Sequence, residues 1–212
     1  MHWGGGITLG MFYIADDDWR FGAAVKSPDW MDTFEFQTED ELGNPRVAEF
    51  DLDLPMIVST GVSYSGFQDT VIALDLRYLD YKNTDGLGDR GFNPDGSVRG
   101  LGWSNIFALA TGVQYHLAEP VYVRMGYTYN QNPTPDSQTS ANVATPLHYQ
   151  HELHFGGSYR LARNVWVNGA YSFYFPHEIT GPIVTPLGEV PGSSVTSREL
   201  VHIGSLGVSV TY

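Results

Sequence analysis

The sequence has no cysteine, which rules out disulfides and thiolate-ligated metals and leaves the redox compartment open. Cations are scarce: eleven Lys and Arg stand against 24 Asp and Glu, for a net charge of −13. Phosphate binding needs a basic surface, so this balance argues against a nucleic-acid partner. No run approaches the ~18 apolar residues of a transmembrane helix, although 42% of the residues are hydrophobic. No segment of useful length repeats its apolar residues at the helical period. The first ten residues lack the basic start and apolar core of a signal peptide. None of these absences excludes a membrane protein built of strands, in which alternation dilutes the apolar residues.

Aromatics and glycine, by contrast, are plentiful: 14% of residues are aromatic, with thirteen Tyr and eleven Phe, and there are 24 Gly. The last stretch shows how they are used. Leu206, Val208, Val210 and Tyr212 fall on one face of a strand, and Ser205, Gly207, Ser209 and Thr211 on the other. Large apolar residues on one face and small polar ones on the other is the pattern of a barrel strand between lipid and a wet lumen.

The same alternation recurs upstream. Ile7, Leu9, Met11 and Tyr13 mark a first strand over residues 5–14, and Trp19, Phe21, Ala23 and Val25 a second. Phe34 and Phe36 have the opposite parity, which a bulge near Pro28 would produce. Beyond a polar loop over residues 38–46, Phe50, Leu52 and Leu54 lead through Pro55 into Val58, Val62 and Tyr64. Further strands run through Ile72–Tyr78, Phe107–Tyr115, Val121–Tyr129, Leu153–Tyr159 and Val165–Phe173, and the last covers residues 197–212. Residues 82–102, 131–146 and 176–196 are long polar loops; the other connections are short. The reading is all-β: an antiparallel up-and-down transmembrane β-barrel sheet of about nine strands, short turns at one end and long loops at the other.

Several motifs carry a family resemblance: Ser27-Pro28-Asp29-Trp30, Leu54-Pro55, the run Gly126 to Asp136 (GYTYNQNPTPD) and the run Tyr149 to Tyr159 (YQHELHFGGSY). Their order resembles the outer-membrane transporters of long-chain fatty acids and aromatic hydrocarbons, the FadL/TodX family. The resemblance implies a barrel of about fourteen strands with an N-terminal plug and a lateral wall opening, in the bacterial outer membrane. Nothing here matches the plug, so residues 1–212 are expected to be the C-terminal part of a single barrel domain. Its first and last strands should then both be sheet edges. The implied function is uptake of hydrophobic molecules, with membrane lipid and an apolar small molecule as partners, no cofactor and no enzymatic activity.

Inward-facing charges are expected at Arg20, Lys26, Asp51, Asp53, Asp75, Arg77, Arg124 and Glu152, most of them paired across a wet lumen. Under the resemblance, Arg77 and Arg124, then Lys26, are the candidates to meet a substrate carboxylate, because a guanidinium presents a bidentate fork. His148, His151 and His154 do not make a metal site. On a strand His151 faces away from the other two, which lie roughly 20 Å apart. An outer-membrane phospholipase would need a Ser–His pair. His202 faces lipid without a serine, and Ser63 sits in a strand without the full Gly-x-Ser-x-Gly turn. A structural or porin-like barrel is the other alternative.

Overall fold

In a computed structural model of the chain, the structure describes residues 2–39 and 43–211. Nine strands form one antiparallel sheet: β1 (Thr8–Ile14), β2 (Trp19–Lys26), β3 (Ile57–Phe67), β4 (Thr70–Leu79), β5 (Ile106–Ala118), β6 (Val121–Asn130), β7 (His151–Ala162), β8 (Val165–Gly181) and β9 (Val195–Val210). Each pairs with its sequence neighbours, so the sheet is a meander with β1 and β9 as its free edges. The turns at 15–18, 68–69, 119–120 and 163–164 lie at one end, and the segments 27–56, 80–105, 131–150 and 182–194 at the other. Asp69 takes a positive φ of 55° to turn the chain in two residues, a conformation that Asp tolerates better than most.

The register sets two faces. Trp19, Phe21, Phe107, Leu109, Val123, Tyr171, Val208 and Val210 are exposed on one of them, and Val121 and Phe173 lie half-buried on that same face. On the other face Arg20 stands opposite Ser63, Gly22 opposite Gly61 and Ala24 opposite Ser59. The long segments fold over this second face, so it is the lumen side. The few fully buried side chains belong mostly to this cap or to the strand tops beneath it: Thr84, Leu87, Trp103, Ile106, Thr134, Thr139, Asn142, His148 and Ile179. The sheet itself encloses no core, because lipid covers its outer face.

Four sequence expectations are corrected. Phe34 and Phe36 do not continue β2 past a bulge. Phe34–Glu39 pairs with Pro45–Phe50 in a ribbon of its own, and this ribbon takes in the described part of the polar loop at 38–46; residues 40–42 lie outside the described residues. Residues 50–54 do not run into β3, which begins at Ile57; Leu54 instead bridges to Asp29. Pro28 and Pro55 bracket the detour, since neither can donate to a ladder. Asp51 and Asp53 consequently sit in this loop framework, not on the barrel wall. Asp51 accepts from the Thr33 hydroxyl at 2.6 Å and Asp53 from the Met31 N–H at 2.8 Å. Finally, β8 and β9 stay paired as far as Gly181 and Val195, well into the stretch expected to be loop.

Edge positions also shift. The first strand begins at Thr8, while Gly4–Gly5 pairs with Trp30–Met31. The last spans Val195–Val210, and Tyr212 lies outside the described residues.

Candidate functional site

The lumen face is built of polar rungs that cross the strands. In the lower half, Arg124 donates from Nε to Gln114 and from a terminal nitrogen to Ser158, both at 2.7 Å. Ser158 donates to Asn168 at 2.6 Å, and Asn168 to Ser209 at 3.1 Å. One chain of hydrogen bonds thus ties β5 through β9. A second rung links Asn130 to Glu152 at 2.5 Å and His154 to Ser172 at 2.8 Å and Thr128 at 3.1 Å. Lys26 is held by Asp29 in a 2.6 Å ion pair.

Arg77 differs. Its cross-strand neighbours are Ser59 and Ala108, too small to reach it. Among the described residues, no hydrogen bond or ion pair engages its guanidinium. Of the three sequence candidates, Arg124 and Lys26 are therefore committed to the wall or its loop, and Arg77 is free. Asp75 lies two residues along on the same face, its carboxylate over Gly61.

Arg77 borders two spaces at once. Above it is a cavity of about 230 Å³ under the cap, walled by Ile57, Leu79, Tyr81, Trp103, Ile106, Leu147 and Tyr149. Below it a groove of about 500 Å³ runs down the wall past Phe12, Gly22, Ala24, Gly61 and Ala73. The absence of side chains at Gly22 and Gly61 opens that groove. The cap cavity is held in shape by Trp103, which packs edge-on to Tyr81 with ring centres 5.1 Å apart and donates its indole N–H to Asn142 at 2.7 Å. Asn142 donates in turn to the carbonyls of Leu101 and Gln138, at 2.8 and 2.9 Å. Burial raises the Tyr81 hydroxyl above its ordinary pKa and, with the charge of Glu152 next, pushes Tyr149 up to about 12. Both phenols are neutral at any physiological pH, so Arg77 is the charged group of the cavity.

His151 faces away from His154, as the strand spacing implied, but His148 lies off the strand. His148 precedes β7 and meets His177, a contact that sequence spacing gave no reason to expect; His151 lies at the upper rim against Tyr127, 2.7 Å away. Among the described residues, no group of three or more His, Asp and Glu could hold a metal ion. His202 meets the Tyr171 hydroxyl at 2.6 Å, not a serine, on the lipid face.

An up-and-down sheet with an apolar outer face, a hydrogen-bonded polar lumen face, short turns at one end and a cap at the other defines a bacterial outer-membrane β-barrel protein. A family model described as outer membrane protein transport protein (OMPP1/FadL/TodX) matches residues 2–182. The chain belongs to that family, whose members are transport channels for hydrophobic substrates and not enzymes. No curated protein matches it in sequence. Among solved structures it is similar to the Pseudomonas putida toluene transporter TodX, with a TM-score of 0.68 at 17% identity over 100% of this chain and 50% of that one. It is likewise similar to a Pseudomonas aeruginosa FadL homologue, with a TM-score of 0.72 at 15% identity over 97% of this chain and 52% of that one. The Ralstonia pickettii toluene transporter TbuX follows at 0.56 and 15%, over 99% and 48%. The chain therefore spans about half the length of the structures it matches.

Proposed function

We propose that this chain forms one wall of a barrel that takes up long-chain carboxylates, with Arg77 reading the carboxylate as the molecule passes from cap to lumen. The observation that carries this reading is the position of Arg77 at the junction of the largely aromatic and aliphatic cap cavity, to which Asn130 and Gln131 add amides, and the glycine-lined groove. A guanidinium with no partner among the described residues has its hydrogen bonds available for an incoming anion. The cavity is smaller than the ~300 Å³ at which drug-sized sites begin, so it holds one end of a long amphiphile while the tail follows the groove. The aromatic walls, Tyr81, Trp103 and Tyr149, support a second reading, in which the passenger is an uncharged aromatic hydrocarbon.

In the full-length transporter, Arg77→Ala should lower fatty-acid uptake by about tenfold or more, the worth of a charge-assisted hydrogen bond, and leave toluene uptake intact. Loss of both would mean damaged folding. Loss of neither would remove Arg77 from the path and favour the hydrocarbon reading.

A further inference from the structure

The ionisable side chain most deeply buried in the cap is His148, at 1% exposure. It stands between Leu147 and Tyr149, both of which wall the cap cavity. Its partners all lie on the upper part of the β8–β9 hairpin. Nε2 meets the Ser197 hydroxyl at 3.1 Å, Nδ1 meets Nδ1 of His177 at 3.4 Å, and the backbone N–H donates to Glu199 at 3.3 Å. His177 and Glu199 are direct cross-strand partners, and the register break between Tyr174 and His177 separates this extension from the membrane-spanning ladder below. The loop 131–150 also touches the end of the extension and the segment beyond it: a side chain at Gly181 would strike the Asp136 carbonyl, and Ser140 accepts the Val184 N–H at 3.1 Å.

We propose that His148 and His177 form a proton-operated clasp, which holds the loop 131–150 down on the β8–β9 extension at neutral pH and releases it in acid. The geometry explains how. Two Nδ1 atoms facing each other need one N–H and one bare nitrogen. The contact survives with no added proton or with one. With two, both nitrogens carry hydrogen, both rings are cations, and the contact becomes a repulsion.

The surrounding groups do not rescue it. From β8 the neighbours are His177 and, lower, Tyr174; from β9, Ser197 and Glu199; from the loop itself, Tyr149; from β7, Glu152, which is engaged by Asn130 and His154. The phenols stay neutral in this range. Among the described residues Glu199 is the one acid hydrogen-bonded to His148, through the backbone N–H. Burial raises its pKa, which works against its acting as a counter-charge in acid. Burial first, then the charge of His177, holds His148 below the ordinary imidazole value. For a group with a lowered native pKa, the stabilisation is complete above ~6.5 and is lost as pH falls through the native value.

The clasp governs access to the cavity whatever molecule passes, and thiol labelling reads it without measuring uptake. Residues 1–212 contain no cysteine, and any cysteine in the rest of the full-length protein would first be replaced by serine so that each labelled thiol is single. Ile179 is buried on the clasped face of β8, opposite Ser197; Thr180 is exposed on the other face. In the full-length protein in outer-membrane vesicles, Ile179→Cys and Thr180→Cys would each be labelled with a membrane-impermeant thiol reagent. Taking the ratio of the two rates cancels the common effect of pH on thiol reactivity. Between pH 7.5 and pH 5 the ratio should rise by about tenfold or more, the yield of one proton-linked step. In a His177→Gln background it should stay low and flat, because an amide oxygen accepts from His148 in either protonation state. A wild-type ratio that does not change with pH would overturn the proposal, and that arm needs no clasp variant to fold. A rise of full size that persists in His177→Gln would overturn it too.

Discussion

Arg124 and Arg77 are both arginines on the lumen face, and their surroundings give them different work. Arg124 links three strands, so its removal strands Gln114 and Ser158 without their donor. Arg124→Ala should therefore lower barrel stability by about 1–3 kcal/mol, seen as an earlier heat-induced loss of the folded band on electrophoresis, and it should reduce uptake of charged and uncharged substrates alike. Arg77→Ala should not shift that melting. On the outer face the relevant solvent is lipid. Leu74 points outward in mid-strand, and Ala73 beside it points into the lumen. Leu74→Arg should cost about 2–4 kcal/mol and impair insertion, and Ala73→Arg should cost far less. Equal costs, measured by denaturant titration in bilayers, would contradict the assignment of the faces.

Among the elements, the long segments behave as a small globular unit laid on the sheet. Loop 27–56 and loop 80–105 meet where Asp53 donates its N–H to the Asp85 carbonyl at 3.1 Å and Gly86 turns with φ +74°. A side chain at Gly86 would strike the Asp51 carbonyl, and the left-handed conformation adds a cost of roughly 1–2 kcal/mol for a non-glycine residue. Gly86→Ala should separate these two loops without touching the strand ladder. Limited proteolysis should then cut within residues 27–56 or 80–105 much faster than in the wild type, while heat-modifiability of the barrel stays unchanged. Protection that does not change would mean the loops are held apart from this contact.

At the level of the whole molecule, the decisive feature is the open sheet. β1 and β9 run in the same direction, so joining them directly would make a parallel pair in an otherwise antiparallel wall. Each edge presents unpaired N–H and C=O groups, which hydrocarbon cannot satisfy at a cost of several kcal/mol apiece. Residues 1–212 produced alone and refolded into detergent should aggregate or pair edge to edge. They should not run as a compact, heat-modifiable monomer; finding one would show that this sheet closes on itself. Supplying the strands that complete the wall should restore the monomeric barrel behaviour.

Much of this was legible in the sequence because a strand exposed to two different media writes its register into alternate residues. Val208 and Val210 against Ser209, or Trp19 and Phe21 against Arg20, state which side is lipid without reference to any other strand. Strand existence and order and the asymmetry of turns and loops follow from that local signal; the two free edges were expected from the family resemblance and the odd strand count. The local signal fails where the chain leaves the membrane. Phe34, Phe36 and Phe50 alternate as well as any wall strand does, but they lie in a separate ribbon, Phe34 opposite Phe50 and Phe36 opposite Ala48, because alternation reports a two-sided surface and not which surface. The site depended on tertiary structure for the same reason. Arg77 and Arg124 are indistinguishable as letters; Gln114 and Ser158 occupy one, and Ser59 and Ala108 leave the other free. His148 and His177 lie 29 residues apart with no shared period, and only the fold of the loop onto the hairpin brings their nitrogens together.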